Sequence, residues 1–239
     1  LNGKPDTGLV RHGDMSNIIK HTSDIFELDS LQYAQGFNYD KSVYQRVEFA
    51  ELEGMNLFEI VRAPLRNSSD ETKREINDIA KMTQNRTPEE IQLVHKTDID
   101  PLLLYHPVID RLNMVLDLKA FNAMYYRSLS EIIDHLKFYY NRPRPYQLAD
   151  MLSVNINRII TKTHRTPSYP SGHTMYAALA SEMLSDKYPQ HKAELDKLSI
   201  MTGHARVLQG VHYPSDNIAS IKIVNKIFPN IKKYFMEQD

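Results

Sequence analysis

The chain has 239 residues, 41% of them apolar and 25% charged, with a formal net charge of −1. That balance suits a globular chain able to bury a core, and it offers no basic excess with which to hold nucleic acid or an anionic membrane surface. Cysteine is absent, which excludes disulfides and thiolate metal sites, and no window approaches the roughly 18 consecutive apolar residues of a membrane-spanning helix.

Residues 1–30 are polar, with scattered Gly and Asp, and read as an N-terminal arm with room for one short helix. The arm opens on Leu1 rather than methionine, which leaves a removed signal peptide an open question. From Lys41 to Arg62, the residues Val43, Val47, Leu52, Met55, Phe58, Ile60 and Val61 recur near helical spacing and predict a helix ended by Pro64. NSSDETKREINDIAKMT predicts a helix with a Ser/Asp start and with Ile76, Ile79, Ala80 and Met82 on one face. RTPEEIQLVHK predicts another: Thr87 as N-cap, Pro88 at the first helical position, Glu89 and Glu90 in the first turn.

Residues 101–142 carry one or two long helices. They end at NRPRP, where two prolines one residue apart demand an extended exit over 142–145. RIITKTHRTPSYPSG reads as a loop. Helices then follow from Gly172 to about Lys187, from about His191 to Leu208, and from Pro214 onward, the last dented or broken at Pro229. Glycine is scarce, with 8 residues, and nothing alternates with period two or repeats. The expected fold class is therefore all-α: a single-domain helical bundle over 1–239.

Three clusters in the C-terminal half carry chemistry. The first places Lys137 six residues before Arg144-Pro145; the second is Pro170-Ser171-Gly172-His173; the third sets Arg206, His212 and Asp216 within ARVLQGVHYPSD. Singly each has a bland reading, as solvated helix ends, a helix-start histidine or an ordinary Arg206–Asp216 ion pair. Together, in this order and spacing, they resemble the three-part signature of the type 2 phosphatidic acid phosphatase superfamily. That group includes bacterial class A acid phosphatases, lipid phosphatases and vanadium-dependent haloperoxidases. The motifs cover 137–216, about a third of the chain, and SYPSGHT looks most like the soluble acid phosphatases.

The resemblance implies a helical bundle of the acid phosphatase/haloperoxidase type and a metal-independent phosphatase acting on phosphate monoesters. Transfer of a phosphoryl group spreads negative charge over its oxygens, so catalysis rests on positioning and fixed positive charge. Lys137, Arg144 and Arg206 would supply it, the arginines as planar forks. Ser171 and the Gly172 amide would add hydrogen bonds at a helix N-terminus, where the helix dipole already favours an anion. His212 would be the nucleophile that forms a phosphohistidine, Asp216 would fix its tautomer, and His173 would be the general acid and then the base. A bell-shaped pH profile on the acid side follows. No cofactor is required; vanadate would act as a phosphate mimic and inhibitor. Ala205 stands where the family usually has Ser, and Pro167 where the acid phosphatases usually have Gly.

Other residues read as structural. His204 is expected on a helix surface rather than in the pocket, Arg142 facing water rather than assisting Arg144, and the tyrosine pairs at 125–126 and 139–140 in packing roles rather than lining a substrate mouth. The basic, amphipathic tail IKIVNKIFPNIKKYF fits helix packing and a lipid surface equally. The implied partner is a small phosphorylated substrate, with no nucleic acid and no transmembrane segment; peripheral membrane contact and homo-oligomerisation stay open. The soluble acid phosphatases it resembles are mostly periplasmic or secreted. Two rival functions share the residues: a vanadate-dependent haloperoxidase using the same pocket, and a non-catalytic phosphate-binding module.

Overall fold

The computed structural model describes residues 24–36 and 40–236, so most of the expected N-terminal arm lies outside it. Among the described residues every regular element is helical. Residues 24–30 form α1, and Leu28 packs with Ile76 and Ile79, so this end of the arm belongs to a core.

The helix expected over 41–62 is broken. α2 (Lys41–Gln45) and α3 (Leu57–Ile60) flank a 3₁₀ turn at Ala50–Leu52. Glu53 and Gly54 follow it with φ of 50° and 79°, left-handed values that a right-handed helix does not accommodate. Asn56 then caps α3, its side chain accepting from the Phe58 amide at 3.0 Å. Leu52, Leu57 and Val61 still reach the core; the apolar pattern fixed burial while the Glu-Gly turn and the Asn cap set the local geometry.

α4 (Asp70–Gln84) starts on Ser69, which accepts from the Thr72 amide, and buries Ile76, Ile79 and Ala80. α5 (Pro88–Ile99) opens with the expected Thr87 cap, made reciprocal by Glu90: the Glu90 amide donates to Thr87 Oγ1 at 3.2 Å and the Thr87 amide to Glu90 Oε2 at 2.8 Å. The stretch 101–142 divides into short α6 (His106–Arg111), closed by Asn113 at φ 49°, and one long helical run. That run is α7 (Leu118–Met124), a π-helical turn (Tyr125–Leu129) and α8 (Ser130–Tyr140), ended by Asn141 at φ 46°.

The extended exit covers Arg142–Arg144 only. Pro145 starts a further helix, α9 (Pro145–Met151), because proline at the first helical position has no amide to lose and a pre-set φ. α10 (Gly172–Lys187), α11 (Lys192–Leu208) and α12 (Pro214–Met236) match their expected spans. α12 runs on through Pro229, which forfeits the one amide that would have reached the Asn225 carbonyl.

α10 is buried on nearly all sides, and small residues (Ala177, Ala178, Ala180, Ser181) let its neighbours approach. The Tyr105 hydroxyl fastens it from outside, 2.8 Å from the Ala177 carbonyl and 2.6 Å from Ser181 Oγ. Where α10, α11 and α12 meet, a Cβ on Gly203 would lie 2.9 Å from Asn217 Cγ and 3.0 Å from Thr174 Oγ1. Glycine is required at this junction, and the two polar side chains close it: Thr174 donates to Asn217 Oδ1 at 2.9 Å, and Asn217 Nδ2 donates to the Gly203 carbonyl at 2.8 Å. A second apolar cluster joins α4, α9, Val207 and Tyr213. The predicted functional residues lie between the two clusters.

Candidate active site

Lys137 occupies the last turn of α8 and Arg144 precedes α9, so a short bend separates them. The loop leading to α10 crosses that bend and holds it through main-chain atoms. The Ser168 amide bonds the Arg142 carbonyl at 3.0 Å, the Thr166 carbonyl accepts from Arg144 Nε at 2.9 Å, and the Pro167 carbonyl accepts from Lys137 Nζ at 2.6 Å. Both cations are buried, at 5% and 2% exposure. Buried charges ordinarily sit against an opposite charge. Among the described residues, Lys137 and Arg144 instead meet carbonyls and one imidazole nitrogen. Burial first, then Arg144, holds the Lys137 pKa well below its ordinary value; burial and Arg206 bring Arg144 down to about 10. Two cations pressed together without a carboxylate between them make a place for an anion.

His212 lies fully inside this group. Its Nδ1 is 3.0 Å from Asp216 Oδ2 and its Nε2 is 2.8 Å from Arg144 Nη1. A guanidinium only donates, so Nε2 is the unprotonated nitrogen and Nδ1 carries the proton to Asp216. Burial, then Arg144, holds the imidazole pKa far below its usual value. Asp216 is saturated: Oδ2 also accepts from Ser168 Oγ at 2.5 Å and the Tyr213 amide at 3.1 Å, and Oδ1 accepts from Arg142 at 2.6 Å. Burial alone would raise its pKa, but Arg142 and the bonds from His212 and Ser168 outweigh that and bring it to about 2.

His173, in the first turn of α10, is the less enclosed of the two histidines, with 17% of its side chain exposed. Its Nε2 is 3.1 Å from the Asp98 carbonyl oxygen, which fixes a proton there. Burial and Arg206 push its pKa down to about 3. Arg206 donates to Asp98 Oδ1 at 2.6 Å and to Thr163 Oγ1 at 3.1 Å, and the Thr163 hydroxyl also donates to Asp98. Ser171 caps α10, its Oγ accepting from the Thr174 amide at 3.4 Å and lying 2.9 Å from Thr174 Oγ1, to which its hydroxyl donates. The Gly172 and His173 amides stand as first-turn donors. A Cβ on Gly172 would meet only Ile133 Cγ2, at 3.8 Å, so packing by itself does not demand glycine there.

All eight predicted site residues thus share one neighbourhood: Lys137 acts on both histidines, and Arg206 acts on Arg144 and His173. His204 is exposed on α11, and Tyr125 packs with Phe121 and Tyr176 while Tyr139 packs with Phe58. Arg142 overturns the expectation that it faces water. It is 2% exposed, bonds Asp216 and Ser215 Oγ (3.1 Å), and lies 3.8 Å from the Tyr213 ring centroid. In extended backbone, residues two apart point to one side, so Arg142 turns inward with Arg144. The Arg206–Asp216 pair considered from sequence does not form; each takes another partner, Asp98 and Arg142. Asp98, Thr163 and Glu75 are the residues that sequence reasoning missed. They sit at a helix end, in a loop and mid-helix, with no motif around them.

Among the described residues no group of three or more His, Cys, Asp or Glu is placed to hold a metal ion, and no helix is long and apolar enough to cross a membrane. Residues 119–223 match the model of the PAP2 superfamily. The non-specific acid phosphatases of Salmonella typhimurium (strain LT2) and Salmonella typhi are each 36% identical over 80 residues, 34% of this chain and 32% of theirs. The chain therefore aligns with about a third of the length of these relatives. The crystal structure of a transmembrane PAP2-type phosphatidylglycerolphosphate phosphatase from Bacillus subtilis aligns over 94% of this chain and 96% of its own. Its identity of 16% and TM-score of 0.34 make that likeness too loose to bear on the fold. The stretch that matches the PAP2 superfamily model contains all eight residues of the site.

Proposed function

We propose that the protein is a phosphatase that hydrolyses phosphate monoesters through a phosphohistidine on His212. The observation that carries this reading is the pair of contacts on one ring: Nδ1 against Asp216 and Nε2 against Arg144. An unprotonated nitrogen among buried cations is a nucleophile beside an anion site. An arriving phosphate takes the Arg144 donor from Nε2 and, with Lys137, Arg206, Ser171 and the α10 amides, is held with phosphorus facing the freed lone pair. Nε2 forms the N–P bond as the ester O–P bond breaks, and Asp216 stabilises the imidazolium that develops. His173, its Nε2–H held by the Asp98 carbonyl, gives the proton gained on Nδ1 to the leaving alkoxide, then takes a proton there from the water that releases phosphate. Burial, then Arg206, keeps His173 neutral to low pH; the phosphate dianion offsets the cations' field, and the proton is taken up with the substrate.

The acid phosphatase relatives support the reaction class over their shared third. The test is p-nitrophenyl phosphate hydrolysis from pH 4 to 8 with EDTA present, comparing wild type with His212→Ala. Turnover that survives EDTA, falls with vanadate and drops by about three orders of magnitude or more in the variant is the expected result. An active His212→Ala protein would refute the phosphohistidine, and an inactive wild type would refute the phosphatase.

A further inference from the structure

Behind the histidine–carboxylate pair lies a second layer that no part of the proposed reaction uses. Arg142 Nη1 is 2.6 Å from Asp216 Oδ1, and its guanidinium rests on the Tyr213 ring. Glu75 of α4 stands beyond it. Glu75 Oε1 accepts from the Ser215 amide at 2.6 Å, Oε2 accepts from Ser215 Oγ at 2.8 Å, and Oε2 lies 3.9 Å from Arg142 Nη2. Ser215 Oγ also accepts from Arg142 Nη1 at 3.1 Å. The order from the reacting nitrogen inward is His212, Asp216, Arg142, Glu75, with alternating charge once His212 is an imidazolium.

This layer costs the fold something. A buried arginine and a largely buried glutamate must be desolvated, and Arg142 Nε and Nη2 find no hydrogen-bond partner among the described residues. Ser168 Oγ and the Tyr213 amide already satisfy Asp216 Oδ2 alongside His212. What Arg142 adds is a hold on the other carboxylate oxygen and a positive charge.

We propose that Arg142, anchored by Glu75, is a positioning residue that fixes Asp216 against His212 and sets the acid limb of the pH–rate profile. The inference rests on the phosphohistidine reading. Asp216 left without Arg142 is an uncompensated buried carboxylate, and the nearest cation that can form beside it is the His212 imidazolium. His212 would then hold its proton to higher pH and lose its lone pair. The groups facing this network are Glu75 from α4, Lys137 from α8, Arg144 before α9, Ser168 from the loop, and Tyr213 and Ser215 around the start of α12. Of these facing groups only Glu75 changes in the pH comparison, and it carries the sign opposite to Arg142.

The experiment is the pH dependence of kcat/KM for Arg142→Gln, Arg142→Lys and Glu75→Gln, with His212→Ala alongside. Arg142→Gln moves the acid limb up by about one pH unit, the shift a charge at this range produces, and lowers kcat more than it raises KM. Arg142→Lys, which keeps the charge, returns the limb toward wild type. Glu75→Gln removes a negative charge from the same line and moves the limb the other way, by less; it decides the matter if Arg142→Gln does not fold. A wild-type acid limb in Arg142→Gln, or in Glu75→Gln where that variant decides, overturns the proposal. If His212→Ala still turns over, the phosphohistidine reading falls and this inference with it. If His212→Ala is dead and the limb does not move, this inference alone falls.

Discussion

The two histidines stand in contrasting settings. His212 is enclosed, with both ring nitrogens engaged by side chains, Asp216 on one side and Arg144 on the other. His173 keeps part of its surface open and is oriented by a main-chain carbonyl. A nucleophile needs one tautomer, one direction and no water, and full enclosure supplies all three. A group that hands a proton to a departing alkoxide must border the exit, where the leaving group has room. Identical imidazoles acquire different settings through the company they keep, and burial lowers the basicity of both.

That contrast can be broken from either side. The largest loss is expected for Asp216→Asn, since an amide presenting its NH₂ would favour the proton on Nε2; by analogy with the serine protease triad, kcat falls by about a thousand-fold or more. His173→Ala should discriminate between substrates. With an alkyl phosphate, whose leaving group needs a proton, the loss is about a hundred-fold or more; with p-nitrophenyl phosphate, which leaves as a stable anion, it is far smaller. Equal losses on both would place His173 outside proton transfer.

Asp98 offers a gentler test. Its carboxylate occupies Arg206 and Thr163, and despite burial these bonds lower its pKa. Asp98→Asn frees part of Arg206 for phosphate, and the inhibition constant for inorganic phosphate should fall by about tenfold, or roughly 1.4 kcal/mol. An unchanged constant would mean that Arg206 does not reach the phosphate.

The smallest effect is read in stability. His173 and His164 remain neutral in the folded protein down to about 3 and 4, whereas in the unfolded chain they take up protons below about 6.5. The unfolded state therefore binds more protons through that window, and stability falls as pH drops from about 6.5 toward 4. Each kcal/mol lost lowers Tm by about 2–4 °C in a chain of this size. Thermal melts across that range should show the decline, and saturating phosphate should reduce it.

Much of this was legible in the residues. Thr87, Pro88 and Glu90 specify a helix start locally, and the three last helices carry clear stops. The eight site residues sit in motifs that the sequence presents openly, and they converge. The broken stretch 41–62 was not legible, because apolar spacing records what is buried and tolerates more than one backbone path. Arg142 was misread because solvent is the default for arginine and only the direction of an extended backbone turned it inward. Asp98 and Glu75 reach the site from α5 and α4 through packing of helices distant in sequence, and nothing beside them in the chain marks the partnership.

Two of the site's buried cations, Lys137 and Arg144, are steered by carbonyl oxygens of Pro167 and Thr166. A carbonyl is the same whichever side chain accompanies it, so positions 166 and 167 can exchange residues without altering what they offer Lys137 and Arg144. The proline at 167 illustrates the point: a ring that gives up its amide still presents its oxygen. At 166 and 167 specificity resides in the path of the backbone, whereas Thr163 and Ser168 on the same loop act through their hydroxyls.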